Sequence, residues 1–226
     1  MRTVWRGALR FGMTTMAVRL VSAATEHRSR VHLVHREDSG RVRHQQVCGE
    51  CSLRLTPEDI GRGYELDDGR IVQIDPGELP EPEPSVIDVQ QFTPQTDVDP
   101  IALHRSYYVE PDDLSVRSYV LLRETLERTK TAAIVKFGLR GKETLAAIRP
   151  QQGVLVLHTL LWPDEVREPH FAFLHRDTEV RTGELAAAAA LVRAQTRPFR
   201  PHDYPNQHHE ALLQLVDYQL AGSANA

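Results

Sequence analysis

The only two cysteines in this chain of 226 residues, Cys48 and Cys51, stand two residues apart at the end of RVRHQQVCGEC, Arg41 to Cys51. A Cys-x-x-Cys pair supplies half of a tetrahedral zinc site, and His35, Asp38 and His44 lie just upstream as possible partners. A set of Cys48, Cys51 and His35 completed by a carboxylate is chemically acceptable for zinc, although structural sites favour thiolates. A redox pair is less well supported, because nothing places Cys48 at a helix N-terminus, where a thiolate is stabilised. The favoured reading is a basic hairpin held by its own strand pairing, with zinc bound substoichiometrically or not at all.

Other clusters do not assemble into catalytic sites. His208 and His209 in QHHE point about 100° apart if helical, and the HDY of His202 to Tyr204 has no second cluster at metal-ligand spacing. There is no phosphate-cradling Walker loop, no Gly-x-Ser-x-Gly elbow and no cysteine with a general-base partner. An enzyme is therefore not expected.

Charge is strongly segregated beneath a net value of -4. Residues 1 to 54 carry ten arginines against four acids, and residues 55 to 118 carry four arginines against fifteen acids. From 128 to 149, Arg128, Lys130, Lys136, Arg140, Lys142 and Arg149 face Glu143 alone. Two basic segments flanking an acidic middle suit a polyanionic partner, which responds to local potential rather than to the total.

The elements that must position these groups read as strands first and helices last. TVWRGALRF alternates with the period of a half-buried strand, and MAVRLVSA and RVHLVH continue in that style. Thr56 caps a short helix in TPEDI, and Asp68-Gly69 turns a hairpin between YEL and RIVQI. The proline-acid run ELPEPEPS predicts an extended linker. Strands follow at VIDVQQF and SYYVEP, then a helix in DDLSVRSYVLLRETLERT with Val116, Tyr119, Val120, Leu122 and Leu126 on one face. KTAAIVKFGLRGKE is a buried strand ending in a basic turn, GVLVLHTLLW is another strand, and TGELAAAAALVRAQT and QHHEALLQLVDYQLA are terminal helices. No internal repeat is evident. The expected class is α+β, mainly β, with a β core over 1–180 and a helical C-terminal arm over 181–226. No run approaches the roughly 20 apolar residues of a membrane span. A paired, non-stapling cysteine usage without a leader sequence is expected of a cytoplasmic protein.

The blocks VWRGALRFG, GYELDDGRIVQI, DVDPIALHRSYYVEP, VLLRETLERTKTAAIVKFGLRGKETLAAIRP, LVLHTLLWPDEVR and PFRPHDYPNQHHEALLQLV, in this order, resemble the bacterial Ku proteins of non-homologous end joining. The resemblance implies a Ku-type β-barrel, a ring-shaped homodimer threaded onto double-stranded DNA ends without sequence reading, no catalytic activity, and recruitment of an ATP-dependent DNA ligase. A heterodimer with a paralogue is an open alternative, and an action at the nucleoid follows. Mapped onto the basic segments, the DNA-facing candidates are Arg28, Arg30, Arg36, Arg41 and Arg43, then Lys130, Lys136, Arg140 and Lys142. LRGK is the strongest, since a glycine turn lets backbone approach a phosphate between two cations. The acidic middle would face away from DNA. MTTMAVRLVSAATEH lacks a proline and a tyrosine usual in the family, and the chain lacks the Lys-rich tail of many members, which bears on DNA bridging and ligase recruitment. The rival reading is a zinc-ribbon regulator binding DNA or RNA, centred on residues 31 to 55, which would leave the later blocks unexplained.

Overall fold

The structure is a computed structural model that describes residues 2–24, 31–75, 77 and 85–223. Two compact units divide the chain at Glu168/Pro169, so the boundary expected at 180/181 falls inside the second unit. The linker expected at ELPEPEPS lies, but for Ser85, outside the described residues.

The first unit is built on a closed seven-stranded barrel in the order β1-β2-β6-β9-β8-β7-β5. Its strands are β1 (Thr3–Phe11), β2 (Thr14–Ser22), β5 (Val86–Pro94), β6 (Leu103–Pro111), β7 (Thr131–Leu139), β8 (Lys142–Gln151) and β9 (Val154–Leu160). Neighbours are antiparallel except β1 and β5, whose parallel pairing, Leu9 opposite Ile87, closes the cylinder. The alternation in the sequence is what permits closure: Trp5 and Leu9, Met16, Val18 and Leu20, Tyr107 and Val109, Val135 and Phe137, Ala146 and Ile148, Leu155 and Leu157 fill one core. Each fully buried leucine among them is worth about 1.5–3 kcal/mol relative to exposure. Trp5 and Phe137 meet edge-to-face with ring centroids 5.7 Å apart, the arrangement that aromatic quadrupoles favour. Gly7 has a steric cause: a Cβ there would collide with the carbonyl of Ser85, which accepts the Ala8 N–H at 2.8 Å.

Helix α1 (Val116–Thr129) leans Tyr119, Leu122 and Leu126 onto this core. The buried Tyr119 hydroxyl accepts the Leu155 backbone N–H at 2.7 Å and so ties the helix to β9. Val116, expected on the apolar face, is instead 46% exposed, because the helix begins there rather than at Asp112. Asp112 serves as a turn residue whose carboxylate accepts the Ser115 N–H at 2.9 Å.

Between β2 and β5 the chain leaves the barrel. The hairpin β3 (Arg62–Glu65) and β4 (Ile71–Ile74) turns at Asp68-Gly69 as expected, with Gly69 at φ 82°. The described part of RVHLVH, residues 31–35, is not a strand. Residues 33–42 form a tight loop with a single bridge, Val34 to Arg41, and residues 46–55 form another with Val47 to Arg54. The two loops repeat each other thirteen positions apart. His35 N–H donates to Gly40 O as Cys48 N–H does to Leu53 O; Ser39 donates to His35 O as Ser52 does to Cys48 O; Val42 donates to Leu33 O as Leu55 does to Gln46 O. Ser39 and Ser52 share a left-handed φ of 58°. The repeat absent from the sequence is thus present in the backbone.

The second unit holds α2 (Thr182–Gln195), α3 (Gln207–Ser223) and short 3-10 turns. Every residue from Pro169 to Ala221 is exposed except Ala189, His209 and Leu212, which are half-buried.

Candidate nucleic-acid interface

The turn joining β7 to β8 carries the strongest expected pair. Leu139 and Lys142 face each other across it, and both central residues have positive φ, Arg140 at 57° and Gly141 at 76°. This is the type I′ geometry that matches strand twist. Glycine adopts it without penalty, whereas arginine does so at a cost, since a side chain in the left-handed region is strained. The result is an exposed tip on which Arg140 and Lys142 bracket an open backbone.

Lys130 occupies the left-handed C-cap of α1, at φ 53°, its N–H returning to Leu126 and Glu127 carbonyls. It is also exposed, but at the other end of β7. Nine residues separate the two tips, or about 30 Å at roughly 3.3 Å per residue. Lys136 lies between them and is already committed: its Nζ is 3.5 Å from Glu143 Oε2 and stands 5.3 Å from the Trp162 ring centroid. The basic run of the sequence is therefore spread along a strand rather than gathered in one patch.

Arg36, Arg41 and Arg43 are exposed on or beside the first of the paired loops. Arg28 and Arg30 lie outside the described residues. In the loops, His35 and Asp38 occupy the positions that Cys48 and Cys51 occupy thirteen residues later. His35 Nδ1 and Asp38 Oδ1 are 3.0 Å apart, and Asp38 also accepts the Gly40 N–H at 2.8 Å. The Cys48 thiol is held below its ordinary pKa chiefly by the backbone N–H of Cys51, then by that of Glu50. Among the described residues no three metal-ligating side chains stand together, so Cys48, Cys51 and His35 are not assembled into one site.

The acidic middle is largely occupied in local structure. Asp59 closes the box with Thr56, and Asp68 holds Arg70 Nε at 2.7 Å. On the barrel's outer face Asp88 pairs with Arg10 at 3.0 Å, while Glu110 takes Arg19 Nε at 2.8 Å. That contact lowers the Glu110 pKa and raises that of Arg19.

One cation was passed over by the sequence reading. Arg149, on the outer face of β8, is half-buried beside His158. Its only sequence signal was membership of the basic run, and it stands at the run's end, inside an apolar strand.

The comparisons agree with this architecture. The family model described as the Ku70/Ku80 beta-barrel domain matches residues 10–187. The chain is 44% identical to Non-homologous end joining protein Ku 2 of Saccharopolyspora erythraea, covering 99% of this chain and 75% of that protein. It is 41% identical to Non-homologous end joining protein Ku of Mycobacterium tuberculosis, covering 98% and 84% respectively. Protein Ku of Mycobacterium phage Omega is 40% identical, over 97% and 79%. A barrel closed by β1 and β5 with α1 pinned to β9, matched in sequence over nearly its whole length, places this chain in the Ku family.

Proposed function

We propose that this chain binds the ends of double-stranded DNA without reading sequence, as a ring-shaped homodimer acting in non-homologous end joining. The observation that carries the reading is the near full-length match to proteins named for that process. In this role the chain is a scaffold and not an enzyme, acts at the nucleoid, and recruits an ATP-dependent ligase.

Physical support comes from two features. The Arg140-Gly141-Lys142 tip is exposed and belongs to a rigid barrel hairpin, the kind of group that fixes a protein on phosphate oxygens. The second unit exposes Leu185, Leu191, Val192, Leu213, Val216 and Leu220, more apolar helix surface than a solitary chain leaves to water. A second copy is the partner proposed to cover it, and two copies are needed because one barrel cannot encircle a duplex. The paired loops are proposed to be held by their backbone hydrogen bonds, with zinc not required.

The decisive experiment compares a linear duplex with a covalently closed circle of the same sequence at moderate salt. A preformed ring loads only by threading, so the linear form binds and the circle does not, and circularisation after loading traps the protein. Equal binding to both forms would exclude the ring.

A further inference from the structure

On the outer face of the barrel, β6, β9 and β8 run side by side with Ser106 opposite His158 and Tyr108 opposite Val156, which in turn faces Arg149. Where β2 leaves the sheet, Ala23 donates its N–H to Ser106 O at 3.1 Å and walls off one side. The half-open cavity, about 290 Å³, is lined by Ser106, Tyr108, Arg149, Gln151 and His158 among others, near the lower end of small-ligand sites, roughly 300–1,000 Å³.

Its polar inventory is one-sided. Among the described residues no carboxylate lines it and Arg149 has no ion pair or hydrogen bond, unlike Arg10, Arg19 and Lys136 on the same face. His158 is 8% exposed, and its Nδ1 lies 2.9 Å from Ser106 Oγ. Its Nε2 is shielded from solvent and meets no hydrogen-bond partner among the described residues. A buried polar atom without a partner is uncommon and calls for a cause, such as an absent ion. Burial first, and the nearby Arg149 second, hold the imidazole below its ordinary pKa, so it is neutral at neutral pH. In the tautomer in which the Ser106 hydroxyl donates to Nδ1, Nε2 carries the hydrogen and is a donor.

We infer that this cavity is a binding site for a phosphate-type oxyanion, held by Arg149 and Tyr108, with His158 Nε2–H donating to it once side chains at the rim rotate. Guanidinium, phenol, amide and imidazole N–H are all donors, and the described lining holds no negative charge that would repel an anion. The phosphate has two sources, a DNA backbone phosphate or free inorganic phosphate. The DNA assignment rests on the function proposed above, whereas the anion site itself does not.

The test uses the full-length protein and its two arms separate these sources. In the first, imidazole nitrogen signals are followed by NMR as inorganic phosphate is added at constant ionic strength, with His158→Gln assigning the resonance. A saturable shift of the His158 signals, lost in Arg149→Gln and absent with chloride, is expected. No saturable shift, or one unchanged in Arg149→Gln, overturns the site; an unchanged near-ultraviolet circular dichroism spectrum shows that the variant is folded. In the second arm Arg149→Gln is titrated with a short linear duplex over a range of salt. A salt slope smaller by about one unit, with Arg149→Lys restoring it, is expected if the phosphate is that of DNA. An unchanged slope overturns the DNA assignment and leaves free phosphate as the ligand. If the wild-type protein binds no duplex at all, the proposed function fails while the first arm still decides the anion site.

Discussion

The barrel is built mainly of strands and the C-terminal arm of two helices, and the two have opposite distributions of apolar surface. In the barrel, leucines such as Leu9, Leu20, Leu155 and Leu157 are wholly buried. In the arm, Leu191 is 66% and Leu220 is 65% exposed, and no described residue from Pro169 onward is buried. Isolated helices of this length are marginal in water and take most of their stability from packing. The difference teaches that the barrel buries its own apolar side chains whereas the arm does not, and it is this exposed surface that the second copy proposed above would cover.

The largest expected effect follows from that contrast. Leu213, Val216 and Leu220 fall on one face of α3 at helical spacing. Leu213→Glu combined with Leu220→Glu should convert dimer to monomer, weakening association on the order of a hundredfold or more, since buried interface anchors cost roughly 2 kcal/mol or more each. Light scattering measures it. The barrel's chemical denaturation should barely change, and a dimer that survives would remove the arm from the interface.

Within the barrel the same kind of substitution should act on folding instead. Leu155→Ala should cost about 2–5 kcal/mol by leaving a cavity. Tyr119→Phe should cost about 1–3 kcal/mol by orphaning the Leu155 N–H. Urea denaturation of each variant checks this, with Leu220→Ala as the arm control, expected to be near neutral in the monomeric background.

How much of this was legible in the sequence depends on where the determinants are local. The alternation of β1, the Asp68-Gly69 turn and the arm helices were readable because each is set by residues close in the chain. The loops of residues 33–42 and 46–55 were not: His35 and Asp38 do the work of Cys48 and Cys51 in the same backbone frame, so similarity of hydrogen bonding is invisible to residue identity. RVHLVH looked like a strand because its apolar residues alternate, yet it gains only one bridge. The basic run suggested a patch, but β7 spreads it from Lys130 to Arg140, and Glu143 engages Lys136, a pairing set by strand register. Arg149 was overlooked because its meaning lies in the cavity across β8 and β9, contacts no window of sequence contains.

Charge on the barrel's tips gives an intermediate effect. Arg140→Glu with Lys142→Glu should weaken binding to all duplex sequences alike and flatten the salt dependence by roughly one unit per lost phosphate contact. Lys136→Ala should do less, its charge being engaged by Glu143. A sequence-dependent loss would contradict phosphate anchoring. For the paired loops, elemental analysis of purified protein should find zinc well below one per chain, and Cys48→Ser with Cys51→Ser should leave end binding unchanged. One tightly held zinc per chain would overturn a hairpin held by backbone alone.

The smallest effect concerns the buried histidine of the barrel, a setting that no described residue of the arm offers. Burial holds the His158 imidazole below its ordinary pKa, whereas in the unfolded chain it titrates near about 6.5. Between those two values the unfolded state binds more protons, so stability rises with pH across that window and falls as pH drops through about 6.5. Below the folded value the loss levels off, because both states are then protonated. Urea midpoints at pH 8 and pH 5.5 should therefore separate more for wild type than for His158→Gln, whose amide can still bond Ser106 without titrating. If His158→Gln and wild type lose stability equally on acidification, the pH dependence belongs to other groups and the imidazole is not kept neutral by the barrel.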